Sequence, residues 1–293
     1  MKRLPKLAGF LLGLALLAGQ AQAEDPVLRW LVAEGPVEGA LGDEADANRV
    51  LRELLWPSLP GWRHQWVARA PERLARDMRG PEASCALHLR PAAEARPAWL
   101  LSGPWLRRLP VGVVLRQADA RRWSRYLNWR GEIELEALLQ HEGATAAAGA
   151  QPYGPGIDPV LQRQAAERVR RLQLDSARSV ALAMVAREQG VDAAFADPVQ
   201  LAHFERTQPE LAGHLRWLPV QGQPETLPTA LGCSRNEPGQ RALAQLDALL
   251  ERPEVRERLQ TLYEARLPQP ERERLQMLRS RLGEGFWREG AWR

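Results

Sequence analysis

Apolar runs of strand length alternate with segments of helical period along this chain, the pattern of an α/β protein with mainly parallel sheets. Val27–Ala33 is the first such run, and Glu34-Gly35-Pro36 breaks it. A helix starting near Asp46 or Ala47 sets Val50, Leu51, Leu54 and Leu55 on one face, and Pro57-Ser58-Leu59-Pro60-Gly61 stops it. Strands are expected over 63–68 and 84–89. The helix between them, 71–79, begins at Pro71, whose missing N–H costs nothing in a first helical turn.

The middle of the chain repeats the theme. Residues 110–115 form an apolar strand, 134–141 a short helix, 145–148 a strand of small residues, and 176–189 an amphipathic helix carrying Val180, Met184 and Val185. Gly190 ends that helix, and the run 191–196 is a strand that stops at Asp197-Pro198. After the Gly/Pro-punctuated stretch 219–228, a strand over 229–234 leads into helices over 240–251, 254–265 and Gln269–Leu282. Arg and Glu at helical spacing mark the last of these as a solvated face with i,i+4 pairs.

The first 23 residues stand apart from this pattern. Lys2, Arg3 and Lys6 precede an apolar run from Leu7 to Gly19, and Ala21-Gln22-Ala23 is a small-x-small cleavage site. This is the form of a secretory signal peptide cut after Ala23; its apolar run is too short for a hydrocarbon core that takes around 20 apolar residues to span. It implies a soluble exported, periplasmic protein. The mature chain then carries 37 basic and 36 acidic side chains, so the basic excess belongs mostly to the signal. Both lysines leave with it. The arginine pairs that remain, such as Arg107-Arg108, Arg121-Arg122 and Arg170-Arg171, are scattered among acids, which excludes the focused basic face of a nucleic-acid binder. A mature length of 270 residues exceeds a single core and implies two lobes.

Little announces catalysis. The Gly-rich stretch 149–156 lacks a P-loop Lys and carries prolines where N–H donors are needed, no serine sits in a G-x-S-x-G elbow, and the five histidines show no metal spacing. No cofactor, metal or catalytic residue is expected. Cys85 and Cys233 are 148 positions apart; in an exported protein two cysteines form either a disulfide or a pair of buried free thiols.

Two segments carry a resemblance. In the first, Arg96 follows the strand that holds Cys85, and Leu101-Ser102-Gly103-Pro104-Trp105 comes after it; in the second, Gln189-Gly190-Val191-Asp192-Ala193 leads to Asp197. Here the chain resembles the family 3 extracellular solute-binding proteins, periplasmic receptors for amino acids and related solutes. The resemblance implies a type II periplasmic binding protein-like fold, with two α/β lobes joined by two hinge crossings near 107–109 and 221–228. Lobe 1 would comprise 24–107 plus 223–293, and lobe 2 residues 108–222. It further implies that Cys233 lies beside Cys85 and is bridged to it, and that a monomer hands its solute to an ABC permease or a membrane sensor.

The same resemblance implies the ligand contacts. Arg96 offers a planar fork for a carboxylate, and Asp197 an acceptor for an α-ammonium; both end strands at the carboxyl edge, where open α/β sheets bind ligands. Glu34 stands after the first strand, and Trp105 and Tyr153 supply aromatic surface. The competing role for Asp197 is to cap the helix that follows. Pro91 replaces a usual Ser or Thr, and the turn 149–154 lacks the family's Gly-Thr-Thr. Three functions therefore stand: a binding protein that captures a small polar solute by hinge closure, an interaction or signalling protein on the same fold without transport, and a dehydratase-like enzyme using Glu34, Asp197 or His88.

Overall fold

A computed structural model describes residues 25–33, 51–69, 71–89, 99–140, 144–149, 152–165, 167–173 and 177–287. The signal segment, the start of the helix expected from Asp46 or Ala47, and Glu34 and Arg96 lie outside them. The first strands are β1 (Val27–Ala33), β2 (Arg63–Arg69), β3 (Ala83–Leu89), β4 (Trp99–Leu101) and β5 (Leu106–Arg108). Then come β6 (Gly112–Arg116), β7 (Ala146–Ala148), β8 (Val169–Arg171), β9 (Ala193–Ala196), β10 (Leu215–Leu218) and β11 (Leu227–Ser234). The helices are α1 (Pro71–Asp77), α2 (Leu135–Gln140), α3 (Asp158–Arg163), α4 (Ala177–Ala186), α5 (Pro198–Thr207), α6 (Glu237–Leu250), α7 (Pro253–Glu264) and α8 (Gln269–Leu282).

The strands form two sheets. One runs β2-β1-β3-β11-β4, with β5 paired to β11; the other runs β10-β6-β9-β7-β8. Strand direction departs from the expectation of mainly parallel sheets. β1 is parallel to β2 and β3, and β7 to β8 and β9, but β11 is antiparallel to β3, β4 and β5, and β6 to β9 and β10. Hydrophobic runs report burial and not direction; here direction follows from the chain leaving the first sheet through β5 and re-entering it through β11.

Small side chains fill strands that are covered on both faces. Every residue of β7 (Ala-Ala-Ala) and β9 (Ala-Ala-Phe-Ala) is buried. On the first sheet, Leu28, Trp30, Ala83 and Cys85 share one core with Leu243 and Leu246 of α6 and Leu259 and Tyr263 of α7, while Leu31, Val67, Ala86 and Met78 form a smaller core on the other face. α6 starts where its sequence allows: Asn236 accepts from Gly239 N, and Pro238 occupies the first turn.

The expected strands and helices are present, most within two or three residues of their expected bounds; α6 extends to Glu237. Of the helix expected before Pro57, the described part is one π-type turn, Leu51–Leu55, running into a 3-10 turn, Trp56–Ser58. The strands β4, β5, β8 and β10 were not foreseen. β5 (Leu-Arg-Arg) and β8 (Val-Arg-Arg) carry consecutive arginines that read as solvated, yet Arg107 and Arg108 are buried. β11 places Cys233 opposite Cys85, and the two sulfurs are bonded, as the resemblance implied.

Candidate functional site

The carboxyl edge of the second sheet gathers a row of buried polar groups. β9 ends at Ala196, and Asp197 then caps α5: its carboxylate accepts from Gln200 N, and Asp197 N donates to Gln200 Oε1, both at 3.0 Å. This reciprocal pair is a capping box. The other carboxylate oxygen of Asp197 lies 3.6 Å from Nη1 of Arg108, with both side chains about 5% exposed or less.

Gln200 extends the row. Its Oε1 also accepts from Arg178 Nη1 at 3.0 Å, and the Arg178 guanidinium lies 5.4 Å from the centre of the Tyr153 ring, close enough for a cation–π contact. Tyr153 is held by the loop after β7. Its hydroxyl accepts from Gly149 N at 2.6 Å, its own N–H and that of Gly154 donate to Asp158, and its ring packs on Phe195.

Asp197 and Tyr153 are thus joined, through Gln200 and Arg178, into one connected group. Asp197 does both jobs that a charged acceptor can do inside the protein: it caps a helix and neutralises a cation. Trp105 is placed elsewhere. It is 1% exposed in the core of the first sheet beside Leu106, Leu109 and Tyr263. Ser102, just before it, is bound to β11, donating through its N–H to the Leu231 carbonyl and accepting from Leu231 N at its hydroxyl. The side chain of His88 lies outside the described part, as do Glu34 and Arg96.

Sequence reasoning missed Arg108, Arg178 and Gln200. A signal was present for the first: Arg107-Arg108 sits between Leu106 and Leu109, and two arginines inside an apolar run need buried partners. A cavity of about 730 Å³ opens over β1 and β2, lined in part by Arg29, Arg69 and Glu82. Its arginines are already neutralised, Arg29 by Asp77 and Glu82, Arg69 by Asp77. Among the described residues no three His, Cys, Asp or Glu side chains are placed to hold a metal ion, and no helix is long and apolar enough to cross a membrane.

No family model matches the chain, and no curated protein is similar to it in sequence. Solved structures are similar to it in fold. One, from work on glutathione import via GshT and the cystine ABC importer of Streptococcus mutans, superposes with a TM-score of 0.55 at 9% identity, over 85% of this chain and 99% of the other. The fold is that of the type II periplasmic binding proteins. The ligand-binding core of GluR0, solved with L-glutamate, shares this binding-protein fold with a TM-score of 0.51 at 15% identity, over 83% and 98% of the two chains. So does a double mutant of the VFT2 domain of Bordetella pertussis BvgS, with a TM-score of 0.50 at 21% identity, over 80% and 94%.

Proposed function

We propose that this chain is a divergent family 3 solute-binding protein that holds a small polar solute between two lobes, 24–107 with 223–293 on one side and 108–222 on the other. The observation that carries the reading is the binding-protein fold together with the buried polar row at the carboxyl edge of β9, where this architecture places ligands. Residues 1–23 export it to the periplasm, and delivery to an ABC permease or a membrane sensor follows from the same reading. In this reading Arg96 supplies the carboxylate fork, and Glu34, Asp197, Tyr153 and Trp105 are the other ligand contacts.

A second reading has an observation of its own. The Asp197 carboxylate and the Tyr153 hydroxyl are bonded within the protein, and Trp105 is packed in a core. Three of the five expected contacts are committed before any solute arrives, which favours a transport-independent interaction or signalling protein on the same fold.

A thermal-shift screen of amino acids, polyamines and organic acids separates the two. A true ligand at a hundredfold excess over its dissociation constant stabilises by about 2.7 kcal/mol, and Arg96→Ala abolishes the shift. No stabilisation by any of the three classes overturns capture of a solute and leaves the interaction reading.

A further inference from the structure

Between Asp119 and Glu132 the chain carries four arginines and no acid, a local concentration in a sequence whose arginines are elsewhere interspersed with carboxylates. The same stretch holds Trp129, 93% exposed and the most exposed large apolar side chain among the described residues. A lone surface hydrophobe needs no explanation by itself. Here the backbone is built to display one.

Trp129 stands at the tip of a tight turn closed by a bridge between Leu127 and Ile133. Asn128 holds that turn from inside. Its N–H donates to the Glu132 carbonyl at 2.9 Å, its carbonyl accepts from Gly131 N at 3.0 Å, and its side-chain oxygen accepts from Arg130 N at 2.9 Å and Glu132 N at 3.0 Å. Gly131 takes the left-handed φ of +70° that completes the reversal. The Arg130 guanidinium, 5.9 Å from the centre of the Trp129 ring, is tied to Glu132 and Glu225, and Glu225 in turn to Arg281. The indole therefore projects from a base that is already fixed, so a contact made through it orders little else.

Cations accompany the tip. Trp123, 1% exposed, roots the helical stretch 120–126 in the core of the second sheet, and Arg121 and Arg125, four apart in that stretch and hence on one side of it, are exposed. Arg125 is four residues from Trp129, within about 14 Å even at full extension. The acids that bound the stretch are engaged inside the protein, Asp119 with Arg116 and Glu132 with Asn128 and Arg130. Glu134, exposed, is the next acid beyond them.

We propose that this turn docks on an anionic lipid surface, with Trp129 entering the headgroup region and Arg121 and Arg125 facing lipid phosphates. Indole is favoured where water meets hydrocarbon, because its ring is buried there while its N–H stays wet, and each arginine close to an anionic bilayer adds to the attraction. A protein partner is the poorer fit. A specific protein interface buries about 800 Å² per side around an apolar centre, whereas the tip offers one apolar side chain on a convex turn. A fluid surface closes around such a shape. The inference needs the chain to be exported, and it needs no bound solute.

The test is co-sedimentation of residues 24–293 with lipid vesicles, the leader being left out because its own apolar run would bind them. The unsubstituted chain is expected to sediment with vesicles of phosphatidylethanolamine and phosphatidylglycerol and not with phosphatidylcholine, and the bound fraction to fall as salt is raised. Trp129→Ala, and separately Arg121→Gln with Arg125→Gln, are each expected to weaken partition roughly tenfold. These side chains are exposed, so urea midpoints should not move. Brominated acyl chains are expected to quench the unsubstituted chain more than Trp129→Phe. Absence of sedimentation with the anionic vesicles overturns the proposal, as does equal partition of Trp129→Ala or equal partition into phosphatidylcholine. Sedimentation equilibrium without vesicles tests the other occupant: a dimer that Trp129→Ala dissolves assigns the tip to a second copy and overturns the lipid contact. A failed solute screen leaves all of these comparisons standing.

Discussion

The guanidinium of Arg108 on β5 stands 3.6 Å from the carboxylate of Asp197 after β9, with almost no solvent at either side chain. A buried pair of this kind is costly to break from one side, because the remaining charge stays in a medium that cannot solvate it. Asp197→Asn keeps an oxygen for Gln200 N but strands Arg108, and is expected to cost roughly 3–5 kcal/mol. Asp197→Ala also removes the helix cap, adding about 1 kcal/mol. Arg108→Met combined with Asp197→Asn should recover most of the loss. Urea unfolding of Asp197→Asn, Arg108→Met and their combination, read with the unsubstituted protein as a double-mutant cycle, checks the coupling.

The bridge between Cys85 and Cys233 ties β3 to β11 across a sequence separation of 148. In the chain-entropy account a loop of that size stabilises by about 5 kcal/mol through the unfolded state. Replacing both cysteines with alanine is expected to lower the denaturation midpoint by a corresponding amount, with added reductant acting on the unsubstituted chain but leaving the variant unchanged.

His64 sits face to face with Trp56, their ring centres 5.1 Å apart, and its Nδ1 accepts from Trp30 Nε1 at 3.1 Å. Burial pushes its pKa below the ordinary 6.5, against smaller opposing effects of the Leu59 and Trp56 backbone. The unfolded chain therefore binds this proton more readily than the folded one. The stability that neutral His64 provides is complete above 6.5 and is lost as pH falls through the lowered value. Between about pH 7 and about pH 5 the melting temperature of His64→Gln should fall less than that of the unsubstituted protein.

Gly112 opens β6 beside Trp217, whose Nε1 donates to the Ala196 carbonyl next to Asp197. A β-carbon on residue 112 would overlap the Leu218 carbonyl oxygen and the Trp217 indole. Gly112→Ala is expected to destabilise by about 1–3 kcal/mol through overpacking, and to shift near-ultraviolet circular dichroism as the indole is displaced.

The elements legible in the sequence were those whose apolar period is long and unbroken, such as β1, β3 and α4, and those punctuated by proline, such as α1 and α5. Strand direction was not legible, because β11 looks the same in hydrophobicity whether it enters the sheet parallel or antiparallel. Nor were β5 and β8: the arginines of β5 are buried and only the three-dimensional partners of Arg107 and Arg108 account for them, whereas β8 is three residues long with Arg170 and Arg171 exposed, too short to show a period. For the site, Asp197-Pro198 was readable as a cap, and the cap is there. Arg178 and Gln200 were invisible because they sit on different helices, 22 positions apart, and meet through side chains alone.

The strands of the second sheet, from Gly112 to Leu218, are contiguous in sequence, whereas the first sheet has β11 as an interior strand and is incomplete until residue 234 exists. On the export reading these parts reach the oxidising compartment in sequence order. The second sheet has all its strands while the first still lacks the one that separates β3 from β4, so β3 waits with an open edge and an unbonded thiol on Cys85. Between the arrival of Leu89 and of Ser234 the edge of β3 is open to strand addition from a neighbour, and arrival of β11 ends this by filling the gap and supplying the partner sulfur together.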